Sequence, residues 1–183
     1  MTGGRTLLVM LVVSVLWPLN PVPEPGDPYI IINKSSNKLA FIDGGSIVKE
    51  YPVATGKKEE LTPEGEFTIT VKAVRPYYRK QDIQGGDPDN PLGSRWIGFD
   101  AENTNGRVYG IHGTNRSSSI GGYVSNGCVR MHNDDVNELF EKVENGVKVW
   151  IESSPESMGD AAKKRGVLFD RKPLYLNEDL KKM

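Results

Sequence analysis

The chain has 183 residues, 37% of them apolar, with 23 basic and 24 acidic side chains and a formal net charge of −1. That size suits one domain with short appendages and allows a buried core. The charge balance gives no electrostatic case for nucleic acid, and a single cysteine excludes an intrachain disulfide, a CxxC pair and a cysteine-rich zinc site.

The first segment differs from the rest. Arg5 precedes an apolar run from Leu7 to Trp17. Its length fits the h-region of a signal peptide, since a transmembrane helix needs ~20 apolar residues. The preceding region carries one arginine and no small-x-small cleavage site follows, so the run is expected either to be removed or to stay as a membrane anchor. The competing reading is a buried N-terminal helix. The change to Pro18, Pro21, Pro23, Pro25 and Pro28 argues against it and reads as an extended spacer. The expectation is an extracytoplasmic protein whose only membrane contact is this segment. No cysteine follows the run, so a lipid-modified cysteine is excluded there.

From Tyr29 the pattern turns to strands. Tyr29 to Asn33, Lys38 to Ile42 and Ser46 to Tyr51 are three, the last two joined by the hairpin turn Asp43-Gly44-Gly45. Val53-Ala54-Thr55-Gly56 reads as a continuation of the third. After a turn at Thr62-Pro63-Glu64-Gly65-Glu66, Phe67 to Val74 alternates with period two, as a half-buried strand should. Residues 75–95 have no periodicity and several Gly and Pro, which marks a functional or disordered loop. Tyr77, Tyr78 and Trp96 in or beside it either line a groove or cover the sheet edge. Trp96 to Asp100 and Arg107 to His112 read as two more strands. A helix capped by Asn133 or Asp134 follows, with Val136, Leu139, Phe140 and Val143 as its apolar stripe and Asn145-Gly146 as its end. Val147 to Ile151 is a last strand. Residues 153–183 read as a charged appendage with a short helix around Glu156 to Arg165. The balance is mainly β.

The chemistry-bearing residues cluster between positions 111 and 132. Ile111-His112-Gly113-Thr114 is followed, after a Ser/Gly-rich gap, by Ser125-Asn126-Gly127-Cys128-Val129-Arg130-Met131. A thiol and an imidazole are the minimum parts of a cysteine nucleophile with its general base. A free thiol is only a few per cent thiolate near neutrality, so Cys128 needs a partner. His112 and His132 both compete for that role, and spacing alone leaves both open. Gly127 removes a side chain from the approach to sulfur and lets backbone N–H groups turn toward a carbonyl oxygen, as an oxyanion hole requires. Arg130 shares a face with Cys128 if the stretch is extended, where it either binds a substrate carboxylate or pairs with a structural acceptor. A zinc site built from His112, Cys128 and His132, with Asp134 or Asp135 as fourth ligand, is the rival chemistry, although H-x15-C-x3-H matches no common zinc spacing. Ser117, Ser118 and Ser119 lack any elbow sequence for a serine nucleophile.

These residues resemble the signature of the L,D-transpeptidases with a YkuD-type catalytic domain. The family pattern is His-Gly, a gap of about this length, then Ser/Thr-x-Gly-Cys-x-Arg/Asn. Here it reads His112-Gly113, then Ser125-Asn126-Gly127-Cys128-Val129-Arg130. Thr62 to Ile69 and Val53 to Gly56 also resemble family segments, and the likeness runs from about Tyr29 to Ile151. The chain departs from the pattern at Asn126, where many members have histidine.

The resemblance implies a β-sandwich-like domain over residues 29–152, with one short helix after the cysteine, preceded by the leader and spacer (1–28) and followed by the appendage (153–183). It implies Cys128 as nucleophile, His112 as acid/base, the Gly113 carbonyl orienting His112, and Gly127 in the oxyanion hole. Ser125, Asn126 and Arg130 would shape the site and contact substrate. The implied substrates are peptidoglycan stem peptides. The Cys128 thiolate would release D-alanine from a tetrapeptide stem and pass the acyl group to an amine of a second stem, with no metal or organic cofactor. Carbapenem-type β-lactams would be expected to acylate Cys128. Two alternatives stay open at this level: an L,D-carboxypeptidase that uses water as acceptor, and a wall-binding module without catalysis.

Overall fold

The computed structural model describes residues 25–169. The expected leader, most of the Pro-rich spacer and the end of the tail lie outside the described residues. Strands β1 (Tyr29–Asn33), β2 (Lys38–Asp43) and β3 (Ser46–Pro52) form an antiparallel meander. Gly44 and Gly45 have φ of 55° and 75°. A two-residue hairpin with both central residues at positive φ matches the strand twist and favours glycine there. The chain then forms β4 (Thr55–Gly56), β5 (Gly65–Val74), β6 (Arg95–Phe99), β7 (Tyr109–His112), β8 (Tyr123–Ser125) and β9 (Val129–Arg130). Helix α1 (Asn133–Lys142), β10 (Lys148–Glu152) and helix α2 (Met158–Lys164) complete it.

Eight strands make one sheet in the order β3-β2-β1-β10-β5-β6-β7-β9, and β4 pairs with β8 apart from it. The fold is mainly β, as the sequence indicates. One core holds Tyr51 of β3 and Val129 of β9, which stand at opposite edges of the sheet, so the sheet curls around it. Helix α1 closes that core with Val136 and Leu139, and Val143 just beyond it is buried there too. The stripe expected from the 3.6-residue period is therefore the buried one.

Strand β1 shows why an unbroken apolar run can still be a strand. Its residues alternate between two cores: Ile30 and Ile32 face α1, while Tyr29 and Ile31 face the other side. That second face is covered by Met158, Ala161 and Ala162 of α2, with Val167 and Leu168 packed alongside. Part of the segment read as a charged appendage thus forms a wall of a core.

Three local expectations are corrected. Val53 to Gly56 does not prolong β3. Pro52 ends that strand, Ala54 bridges Arg130, and Thr55–Gly56 pairs in parallel with Tyr123–Ser125. Helix α1 stops at Lys142, before Asn145-Gly146, which makes the turn into β10 with Gly146 at φ 99°. Neither Asn133 nor Asp134 caps α1: His132 holds the cap position and makes no side-chain cap bond. Residues 75–94 form a loop held by Asn90, whose buried amide donates to the carbonyls of Pro76 (2.8 Å) and Gln84 (3.0 Å) and accepts from Leu92 N–H (2.9 Å).

Candidate active site

Strands β7 and β9 run parallel, with Ile111 opposite Val129 and His112 opposite Arg130. Ile111 and Val129 both point into the α1 core. Side chains alternate along a strand, so His112 and Arg130 stand together on the other face. Cys128 precedes β9 by one residue, which puts it a two-residue step, ~7 Å, along from Arg130 on that face. The sixteen-residue gap between His112 and Cys128 closes because the chain makes a parallel return.

The imidazole of His112 is fixed on several sides. It is only 4% exposed. Its Nδ1 lies 2.6 Å from the Gly113 carbonyl oxygen. A carbonyl can only accept, so Nδ1 carries the proton and Nε2 is left as an acceptor. Trp96, the cross-strand partner of His112, stacks on the ring with centroids 5.6 Å apart and planes at 18°. The indole is held in turn by its Nε1–H donating to Gly106 O at 2.8 Å. A Cβ at Gly110 would come within 2.7 Å of the indole, so glycine there leaves room for the stack.

Burial favours the neutral form of both His112 and Cys128. Burial pushes the His112 pKa down to about 4, and the positive charge of Arg130 adds to this, while the backbones of Gly113 and Leu92 oppose it. Burial pushes the Cys128 thiol above its ordinary value, opposed by the backbone of Gly110 and the charges of Lys80 and Arg130. Sγ donates to the Val108 carbonyl at 3.4 Å. Leu92 and Lys80 belong to the 75–94 loop, so that loop borders the site.

The Cys128 loop is built from hydroxyls and glycine. Ser125 is buried, and its Oγ accepts from Gly127 N–H at 3.0 Å. Asn126 is exposed at the rim. Gly127 has φ 130°, and a Cβ there would come within 2.6 Å of Leu61 O. Both facts demand glycine. Arg130 is partly buried, and its Nε has no hydrogen-bond partner among the described residues. Two surface grooves of about 410 and 460 Å³ flank Lys34, and neither is lined by Cys128 or His112.

Among the described residues no three His, Cys, Asp or Glu side chains gather as a metal site would need. His132 opens α1, with its carbonyl accepting from Val136 N–H at 3.0 Å. Asn133, read from the sequence as a cap, is a hub instead. Its Oδ1 accepts from the N–H groups of Ser94 and Thr114, both at 3.2 Å, and its Nδ2 donates to Thr114 O at 3.0 Å. A Cβ on Gly113 would lie 2.1 Å from that Oδ1. The sequence suggests only generic roles for Trp96 and Asn133. What betrays them is register and a long-range bond, neither visible in spacing.

Comparison with known proteins agrees with this arrangement. Residues 27–151 match the YkuD family model, the L,D-transpeptidase catalytic domain. The Bacillus subtilis (strain 168) protein that carries the name L,D-transpeptidase YqjB is 56% identical over 154 residues, 84% of this chain and 88% of that one. An L,D-transpeptidase structure from Stackebrandtia nassauensis superposes with a TM-score of 0.56 at 19% identity, over 79% of this chain and 64% of that one. L,D-transpeptidase 3 of Mycobacterium tuberculosis, in complex with a faropenem-derived adduct, gives 0.55 at 17% identity, over 70% and 61%. At those identities the two structures speak for the fold. The chain belongs to the L,D-transpeptidase family with the YkuD-type catalytic domain.

Proposed function

We propose that the protein is a cysteine-dependent acyltransferase that cross-links peptidoglycan stem peptides outside the cytoplasmic membrane. The observation that carries this reading is the His112 imidazole, tied through Nδ1 to Gly113 O, stacked on Trp96, and placed beside the loop of the chain's one cysteine.

Nε2 of His112 takes the Sγ proton as Cys128 attacks the carbonyl of the third, L-centre residue of a tetrapeptide stem. Both groups begin neutral, so the charge pair exists only while the bond forms. The tetrahedral oxyanion is met by the backbone N–H of Cys128; Gly127 N–H, expected from the sequence to join it, is taken by Ser125 Oγ at 3.0 Å. His112 returns the proton to the departing D-alanine amine, which leaves a thioester. The side-chain amine of a second stem then attacks the thioester carbonyl, His112 takes its proton, and the thiol is regenerated as the new amide forms. The Gly113 carbonyl does the orienting work that a carboxylate does in a serine triad. Arg130, with an unpartnered Nε on the reacting face, is the group for the carboxylate that D-alanine carries. Asn126 stands where a stem would pass, and Ser125 acts from inside the loop through Gly127. The steps need no metal or organic cofactor.

The extracytoplasmic placement rests on the apolar run before the Pro-rich spacer and on where such a substrate lies. Among the described residues no helix is long and apolar enough to cross a membrane. The faropenem-derived adduct of the Mycobacterium tuberculosis relative, a penem, and the imipenem complex of the L,D-transpeptidase LdtMt1, a carbapenem, support β-lactams of these two types as acylating inhibitors of Cys128.

Intact-protein mass spectrometry after carbapenem treatment tests the nucleophile. One adduct is expected on the wild type and none on Cys128→Ser; an unlabelled wild type would sink the reading. Incubation with tetrapeptide stems, with and without an acceptor amine, tests the acceptor. A cross-linked product is expected when the amine is present. Free tripeptide alone in both cases would make the protein an L,D-carboxypeptidase.

A further inference from the structure

The peptide before Cys128 is held by a side chain that lies far away in sequence. Gly127 precedes the nucleophile at φ 130° with no side chain to resist rotation. Its two flanking peptide planes would be the loosest joints of the loop. Each is held by one buried hydroxyl. Ser125 Oγ accepts from Gly127 N–H at 3.0 Å, which fixes the plane before it. Thr62, only 1% exposed, donates its Oγ1–H to Gly127 O at 3.0 Å, which fixes the plane after it. The direction of that donation is forced, because Oγ1 also accepts from Gly56 N–H at 2.9 Å and a hydroxyl has one proton to give. Thr62 is anchored in turn. Lys34 is 5% exposed and donates Nζ to Thr62 O at 3.2 Å and to Glu59 O at 2.7 Å, with Glu64 Oε1 2.8 Å away.

The peptide after Gly127 ends in the N–H of Cys128 itself. Among the described residues no peptide bond is cis, so this N–H lies antiparallel to the Gly127 carbonyl in one rigid plane. We propose that Thr62 is a positioning residue for the oxyanion hole: by holding the Gly127 carbonyl it aims the Cys128 N–H at the oxygen of the attacked carbonyl. Gly127 N–H is committed to Ser125, so the Cys128 N–H is the donor that matters. This rests on Cys128 being the acyl-accepting nucleophile proposed above.

Two reactions of the same thiol separate the contribution. Acylation by a carbapenem passes through an oxyanion; alkylation by iodoacetamide displaces iodide at a saturated carbon and passes through none. Both rate constants are measured at one pH on wild type, Thr62→Val and Thr62→Ser, with the folded fraction counted from the labelling amplitude. Removing an oxyanion donor costs about 10²–10³ in rate, so a misaimed one is expected to lower the acylation-to-alkylation ratio of Thr62→Val about tenfold or more. Thr62→Ser, which keeps the hydroxyl, should restore the wild-type ratio. An unchanged ratio in Thr62→Val, or an equal fall in both rates, overturns the proposal and leaves Thr62 a structural strut. Alkylation without acylation in the wild type would overturn the proposed reaction and this role with it.

Discussion

At the scale of single residues, the proposed mechanism gives the proton work to one imidazole, His112. His112→Ala should lower turnover of a tetrapeptide stem by about 10²–10⁴-fold, the usual range for a positioned acid/base. Cys128→Ser should abolish it, and His132→Ala should keep most of it, since His132 sits at the start of α1. Equal damage from His112→Ala and His132→Ala would mean that the wrong histidine has been chosen as base. The pH dependence has a definite sign. The base works when neutral, so kcat/KM should fall only as pH drops through about 4. Stability follows the same group. An unfolded histidine takes a proton near pH 6.5, whereas the buried His112 does so near 4. The unfolded chain therefore binds more protons between those values, and stability is lost on going down through that window, by about 3 kcal/mol in all. Urea unfolding at pH 7 and at pH 4, compared with His112→Gln, reads this contribution. A glutamine variant with the same pH slope as wild type would contradict it.

At the scale of elements, the site depends on joints between segments that are remote in sequence. Asn133 ties the start of α1 to the residues after His112 and to the end of the 75–94 loop. Asn133→Ala should cost about 1–3 kcal/mol by leaving partly buried backbone groups unpaired. It should also lower turnover by freeing the Gly113 carbonyl, both readable from thermal melts and stem-peptide kinetics. Gly127→Ala meets the Leu61 carbonyl and a left-handed φ together. It should cost about 1–3 kcal/mol and slow carbapenem acylation of the fraction that folds. The sequence made the glycine legible, because a Gly before a lone Cys suggests close approach. It could not name the atom being approached, the carbonyl oxygen of Leu61 at the end of a 3-10 helix more than sixty residues earlier.

At the scale of the whole molecule, the sheet has two cores, and the second depends on α2. Met158 is 4% exposed beneath β1 and β2. Met158→Ala should lower stability by about 2–5 kcal/mol, seen as a shift in the urea midpoint, while the folded fraction keeps its β-lactam labelling. Loss of labelling from folded protein would mean that the second core also shapes the site. Local patterns told much of this architecture: a period-two run marked β5, a 3.6-residue stripe marked α1, and Gly44-Gly45 marked the hairpin, since each is set by contacts between near neighbours. Because strand pairing joins residues far apart, those patterns could not show that β10 lies between β1 and β5, or that Val53 to Gly56 leaves β3 to line the Cys128 loop. The sequence by itself determined which residue a thiol mechanism must use, because the chain has one thiol, and the family, because His-Gly and Gly-Cys-Val-Arg stand at the right separation. The tertiary structure decided the rest of the site's geometry: the parallel β7–β9 register, the Trp96 stack, the Asn133 hub and the Thr62 hold on Gly127. Each is a contact across many residues of chain, and only the folded sheet makes it short.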